Sequence, residues 1–163
     1  NAVMCARSTR SDEGCHSDSA GSMRPQSTRP LRRRHNGPMI SYPYSGPPTE
    51  WTVICLCAEW CDTCRDYRRL FEQRAARASD AQHLWIDIED DSDALGDLDI
   101  ETFPTLLVLH GDRPRFFGPV LPQIEVIDGM LRTLDPVATP AIHIARDNET
   151  AVRWLSAQAR QMR

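Results

Sequence analysis

The sequence predicts an α/β fold with a central mixed β-sheet and helices on both faces, and three observations carry the prediction. Apolar runs of strand length occur at Trp51–Ala58 and Phe103–Leu109. Between them, from Cys61 to about Ala78, apolar residues recur at three- and four-residue spacing. Strand-length and helix-length segments then alternate to the end of the chain, the pattern of a sheet covered by helices.

The chain of 163 residues is long enough for one domain with a proper core and some extra length. Residues 1–45 read as a disordered, basic head, rich in Ser, Arg, Gly and Pro and without periodicity. The run Arg29–His35 reads as solvated tail. The first residue is not Met, and Met39 stands just before the regular part, so residues 1–38 are expected to be an upstream translation or fragment artefact. Cys5, Cys15 and His16 in this head are too few for a closed zinc site and read as incidental.

After the Pro/Gly-rich stretch Tyr42–Pro48, Trp51–Ala58 reads as a buried strand. The helix from Cys61 places Tyr67, Leu70, Phe71, Ala75 and Ala78 on one face, with Arg and Glu opposite. His83–Ile88 is a second strand, followed by an acidic segment with a short helix around Ser92–Leu98. Thr105–His110 and Arg115–Phe117 are strands joined by a turn at Gly111. Pro122 suits the first turn of a helix reaching about Leu134. Residues 46–136 thus form the domain, and 137–163 form an extension: Ala141–Ile144 extended, then a helix capped by Asp147 or Asn148. The apolar face of that helix, Val152, Leu155 and Ala159 beside Ala151 and Trp154, is expected to dock on the domain.

Charge narrows the function classes. Residues 1–38 carry seven Arg against three acids, and the rest carries twelve Arg against twenty. An acidic body argues against nucleic-acid binding, which depends on neutralising phosphates. No stretch approaches the roughly 18 apolar residues that a membrane span needs, and no apolar segment of signal-peptide type is present. No membrane association and a reducing, cytoplasmic setting are expected.

The chemistry concentrates in Ala58-Glu59-Trp60-Cys61-Asp62-Thr63-Cys64-Arg65. Two thiols three positions apart at a helix start can close a small disulfide ring. The helix N-terminus brings free N–H groups and partial positive charge to the first sulfur and favours its thiolate, which makes Cys61 the nucleophile. Cys64, one turn further in, fits the resolving role, attacking the mixed disulfide to release reduced substrate. Cys55 and Cys57 just upstream complete a Cys-x-Cys-x3-Cys-x2-Cys series, enough for four zinc ligands. They share one face of an apolar strand, however, and buried cysteine behaves as a small hydrophobe, so a metal site is the lesser reading.

The run Ala-Glu-Trp-Cys-x-x-Cys after an apolar strand, with Phe103-Pro104-Thr105-Leu106-Leu107 some forty residues later, resembles the thioredoxin family over residues 51–134. The resemblance implies the thioredoxin fold and a protein-disulfide reductase working through a redox-active Cys61–Cys64 disulfide without a further cofactor. It implies protein disulfide substrates, a reductase as electron donor, and a monomer. It also implies a cis Pro104 facing the disulfide, with Trp60, Phe103 and Gly118 shaping the substrate groove. Against the family pattern, Asp62-Thr63 replaces the usual Gly-Pro. Asp62 is expected to oppose thiolate formation at Cys61. The family's buried strand Asp falls at Cys55 and its Lys at Trp85, so Glu59, Asp87 or water would have to take the resolving proton. The kink proline of the active-site helix is replaced near Arg69, so a straighter helix is expected. A thioredoxin-fold binding module without fast catalysis is the second function class.

Overall fold

A computed structural model describes residues 5–6, 40–44, 49–96 and 98–162. Most of the expected disordered head lies outside the described residues. Among the described residues, seven strands and four helices follow in order: β1 (Cys5–Ala6), β2 (Ile40–Ser41), β3 (Trp51–Cys57), α1 (Asp62–Arg77), β4 (Gln82–Asp87), α2 (Ser92–Leu95), β5 (Thr102–Phe103), β6 (Thr105–His110), β7 (Arg113–Pro119), α3 (Ile124–Thr133) and α4 (Arg146–Gln161).

Strand β3 is central because nearly all of its residues are apolar, and Thr52 to Cys57 are buried on both faces. Such a strand needs helices on both sides, as in parallel and mixed sheets. It pairs parallel with β4 and antiparallel with β6, within the order β2-β4-β3-β6-β7. The parallel neighbours require a crossover, and α1 supplies it. Phe71 of α1 meets His83 and Trp85 with ring centroids 5.3 and 5.6 Å apart, so α1 covers the face of β4 that holds the odd-numbered residues. Gln82, of opposite parity, donates to the Met162 carbonyl at 3.0 Å and fixes the end of α4 on the other face. The helices thus divide between the faces, α1 beside α3 and α2 beside α4.

Three joints hold this arrangement. Arg74 of α1, almost fully buried, reaches Asp128 of α3 at 2.9 Å and Asp80 at 2.8 Å. Buried Arg115 of β7 donates to the carbonyls of Thr139 and of Pro136, the latter at 2.9 Å, so the loop after α3 is pinned to the sheet. Helix α4 buries Ala151, Val152, Leu155 and Ala159 in the same core cluster as β3, and the Asp99 N–H donates to Asn148 Oδ1 near its start at 2.9 Å. Gly111 turns β6 into β7 with φ +60°, where a side chain would be strained, and its N–H donates to the Glu50 carbonyl.

Several local expectations shift. Leu70 is 44% exposed, because the buried stripe of α1 narrows to Cys64, Tyr67, Phe71 and Ala75. The third helix begins at Ile124, leaving Pro122 ahead of it. The last begins at Arg146 after Ala145, and Asn148 spends its side chain on Asp99 instead of capping. Ala141–Ile144 joins no strand, although the Ile142 N–H donates to the Pro114 carbonyl at 3.0 Å. The short pair β2–β4 extends the sheet at Ile40–Ser41, within the residues 1–45 expected to be disordered.

Candidate active site

The site forms where β3 ends and α1 begins. Cys61 is the N-cap of α1 in extended backbone conformation, and the Arg65 N–H closes the first helical bond onto its carbonyl at 3.2 Å. Cys64 lies in the first turn, facing inward. Both cysteines are buried, Cys61 at 0% exposure and Cys64 at 1%. Cys55, Cys57, Cys61 and Cys64 are all in the thiol form.

The residues expected to shape a groove divide into two groups. Trp60, 43% exposed, stands edge-on to Phe103 with centroids 5.7 Å apart, and its Nε1–H donates to Glu89 at 2.8 Å. Phe103 is followed by a cis peptide to Pro104, so the loop before α1 and the β5–β6 junction meet across these two rings. Gly118 pairs with Leu106 and lines an open cleft with Thr102, Thr105 and Phe117 that contains neither cysteine. A Cβ at Gly118 would meet only the Phe116 ring at an ordinary 3.7 Å, so close packing does not demand glycine there. Strand β1 pairs antiparallel with β5, Cys5 opposite Phe103 and Ala6 opposite Thr102.

The charged neighbours differ in weight. Asp62 is ion-paired with Arg65 and its side chain is 85% exposed, so its negative charge is both balanced and solvated. Glu59 is exposed, and its backbone carbonyl accepts from Arg65 at 3.0 Å. Asp87 closes β4 in register with Cys57 and accepts the Glu89 N–H at 3.0 Å, and burial pushes its carboxyl above the ordinary range. Trp85, at the family's Lys position, packs on Phe71 and lies under Arg68, 5.7 Å from its ring centroid.

Sequence reasoning weighed Cys55 and Cys57 only as metal ligands or packing. Their sulfurs lie 3.6 Å apart. Coupling to the Cys57 thiol, followed by burial, pushes the Cys64 thiol far up, and burial raises Cys55 and Cys57 as well. The detectable signal was strand parity, since residues 55 and 57 share a face and α1 has to cover it. Among the described residues, no group of three or more His, Cys, Asp or Glu side chains is arranged to hold a metal ion. No described helix is long and apolar enough to cross a membrane.

Comparison with known proteins follows the same outline. The thioredoxin family model matches residues 48–120. The chain is 30% identical over 66 residues to thioredoxin H2-2 of Oryza sativa subsp. japonica, covering 40% of this chain and 49% of that protein. It is 27% identical over 78 residues to a thioredoxin of Mycoplasma genitalium, covering 47% of this chain and 76% of the other. The match thus spans about half the length of the rice relative. Among solved structures, oxidised thioredoxin O1 from Arabidopsis thaliana is similar at 19% identity and TM-score 0.45, over 53% of this chain and 78% of that one. A point mutant of a thioredoxin from Halobacterium salinarum gives 15% identity and TM-score 0.45, over 58% of this chain and 80% of that one. Together with the mixed sheet, its flanking helices and the Cys-x-x-Cys helix start, the match shows that residues 48–120 are similar to the thioredoxin family.

Proposed function

We propose that this protein is a thiol–disulfide oxidoreductase that reduces protein disulfides through Cys61 and Cys64. The family-model match at residues 48–120 supports the exchange chemistry at a coarse level, and the reductive direction is our reading. The observation that carries it is the placement of two thiols at the N-cap and in the first turn of α1. Cys61 attacks a substrate sulfur, forming a mixed disulfide and expelling a substrate thiolate. Cys64 then attacks Cys61, closing the Cys61–Cys64 disulfide and releasing the second substrate thiolate. An external reductase returns the pair to the dithiol.

The substrate backbone binds at β5. That segment accepts an antiparallel strand already, in its pairing with β1 beside the cis Pro104. Trp60, exposed and edge-on to the fully buried Phe103, supplies an apolar wall there. Since Cys61 has no exposed surface, exchange requires its cover to open when substrate docks. Resolution requires that Cys64 lose a proton against an unfavourable environment. Asp87, at the same end of the sheet, is the carboxylate whose raised affinity for protons best suits it to accept one.

Reduction of insulin disulfides with dithiothreitol as donor, followed by turbidity, tests the reading. The wild type should accelerate precipitation and Cys61→Ser should not. Equal rates for both would favour the second reading, a binding module, to which the strongly raised Cys64 thiol and missing strand Asp lend weight.

A further inference from the structure

Beyond the pair at the helix start, the structure holds two thiols to which the exchange cycle gives no task. Cys57 ends β3 directly beneath α1 and is 1% exposed. Its sulfur lies 3.6 Å from that of Cys55, and strand parity turns both toward α1, whose first turn holds Cys64 facing inward. Cys61 caps the same turn. Four buried thiols therefore gather between the end of β3 and the start of α1. Close by lies the Tyr67 hydroxyl, buried and without a hydrogen-bond partner, near enough to couple electrostatically with Cys55 and Cys57. A hydroxyl so placed is a donor with nothing to donate to until a thiolate forms beside it.

Thiol–disulfide exchange needs an attacking thiolate within reach of a disulfide sulfur and a leaving thiolate that can be stabilised. Cys57 ends β3 on the face that α1 covers, the face toward which Cys64 points. The leaving group would be Cys61, at the helix N-terminus, where thiolate is favoured. We propose that Cys57 is a third redox-active thiol of this site, exchanging with the oxidised pair to form a Cys57–Cys64 disulfide that returns Cys61 to the thiol state. This rests on the reading of Cys61–Cys64 as the exchanging pair. The step is balanced: Cys57 Sγ bonds to Cys64 Sγ, the Cys61–Cys64 bond breaks, and the electron pair leaves on Cys61. The proton lost by Cys57 ends on Cys61, so no outside oxidant or reductant takes part. Its consequence is that the oxidised protein keeps a usable nucleophile, because the disulfide can be stored one layer deeper. Cys55 hydrogen-bonds Cys57 and so acts as its positioning residue.

The test uses the full chain with Cys61→Ser, oxidised with diamide, alkylated and cleaved after Glu59. That cut separates the fragment carrying Cys55 and Cys57 from the one carrying Cys64. The expected result is that the two fragments remain joined by a disulfide. The link should be lost on adding Cys57→Ala and kept on adding Cys55→Ala. In oxidised wild type, the one-disulfide species should include molecules with Cys61 alkylated, and Cys57→Ala should abolish them. Insulin reduction by wild type in parallel separates the two levels of argument. If wild type is active while Cys64 of the Cys61→Ser variant is fully alkylated, or is linked only through Cys55, the proposal is overturned alone. An inactive wild type would overturn the reading beneath it.

Discussion

Acid should weaken this fold through one histidine, and the size of the effect follows from its surroundings. His83 is 2% exposed on β4 beneath α1. Its Nδ1–H donates to the Ala81 carbonyl at 2.9 Å, and Nε2 accepts from the Arg74 guanidinium. Both nitrogens are satisfied only in the neutral ring. A second proton would face a cation, with Asp80 and Asp128 already committed to Arg74 and only the Phe71 ring beside it. Burial first, and Arg74 second, push His83 from its ordinary 6.5 down to about 4. Because the folded value is lowered, the unfolded chain binds the extra proton between those values, and stability falls as pH falls through that window. Lowering pH from 7 to 5 should remove about 2 kcal/mol through this residue, and full titration below pH 4 about 3 kcal/mol. Urea unfolding followed by tryptophan fluorescence at pH 7 and 5 measures it, with His83→Gln as reference. Asp91, raised to about 6 chiefly by burial, works in the opposite direction, gaining stability as pH falls through its folded value. The relevant quantity is therefore the difference in pH slope between wild type and variant. If His83→Gln keeps the wild-type slope, the ring does not carry the linkage and the argument is wrong.

Three further outcomes are expected. Arg74→Ala should cost about 2 kcal/mol in urea unfolding, since it removes charged hydrogen bonds to two half-exposed carboxylates and one to His83, and no loss would show that the α1–α3 joint is idle. Leu155→Ala should destabilise by about 2–5 kcal/mol, the cost of a core cavity, if α4 shares the core of the sheet; a near-zero change would make it an independent appendage. Asp62→Asn should raise the alkylation rate of Cys61 at pH 7 by less than about twofold, because Arg65 and solvent already screen the carboxylate. A tenfold rise would restore Asp62 as the dominant tuning charge.

What the sequence disclosed, and what it withheld, follow the range of the forces involved. Thr105–His110 was legible in full, because a buried strand declares itself in a short apolar run. The same holds for the helix start after Cys61, and the pair Phe103-Pro104 stood out as a motif. Leu70 misled because helical spacing fixes a stripe but not its width, which depends on what the neighbouring α3 leaves uncovered. Strand β2 was hidden, since two residues carry no period, and only its partner on β4 makes it a strand. In the site, Glu89 as the partner of Trp60 and Cys57 as the partner of Cys64 depend on how β3 and β4 line up beside α1. That register is set by packing across the whole sheet and leaves no local trace in the chain.

The borders of the five-stranded sheet have a consequence for how this protein meets other chains. One border is β2, only two residues long. The other is β7, where Pro114 and Pro119 offer no N–H and the register slips opposite Val108 and Leu109. Short, proline-bearing and irregular borders are poor templates for a foreign strand, which guards against lateral aggregation. Under the proposed function, backbone-to-backbone contact with a substrate chain is thereby left to Thr102 and Phe103, where it would take the place of β1.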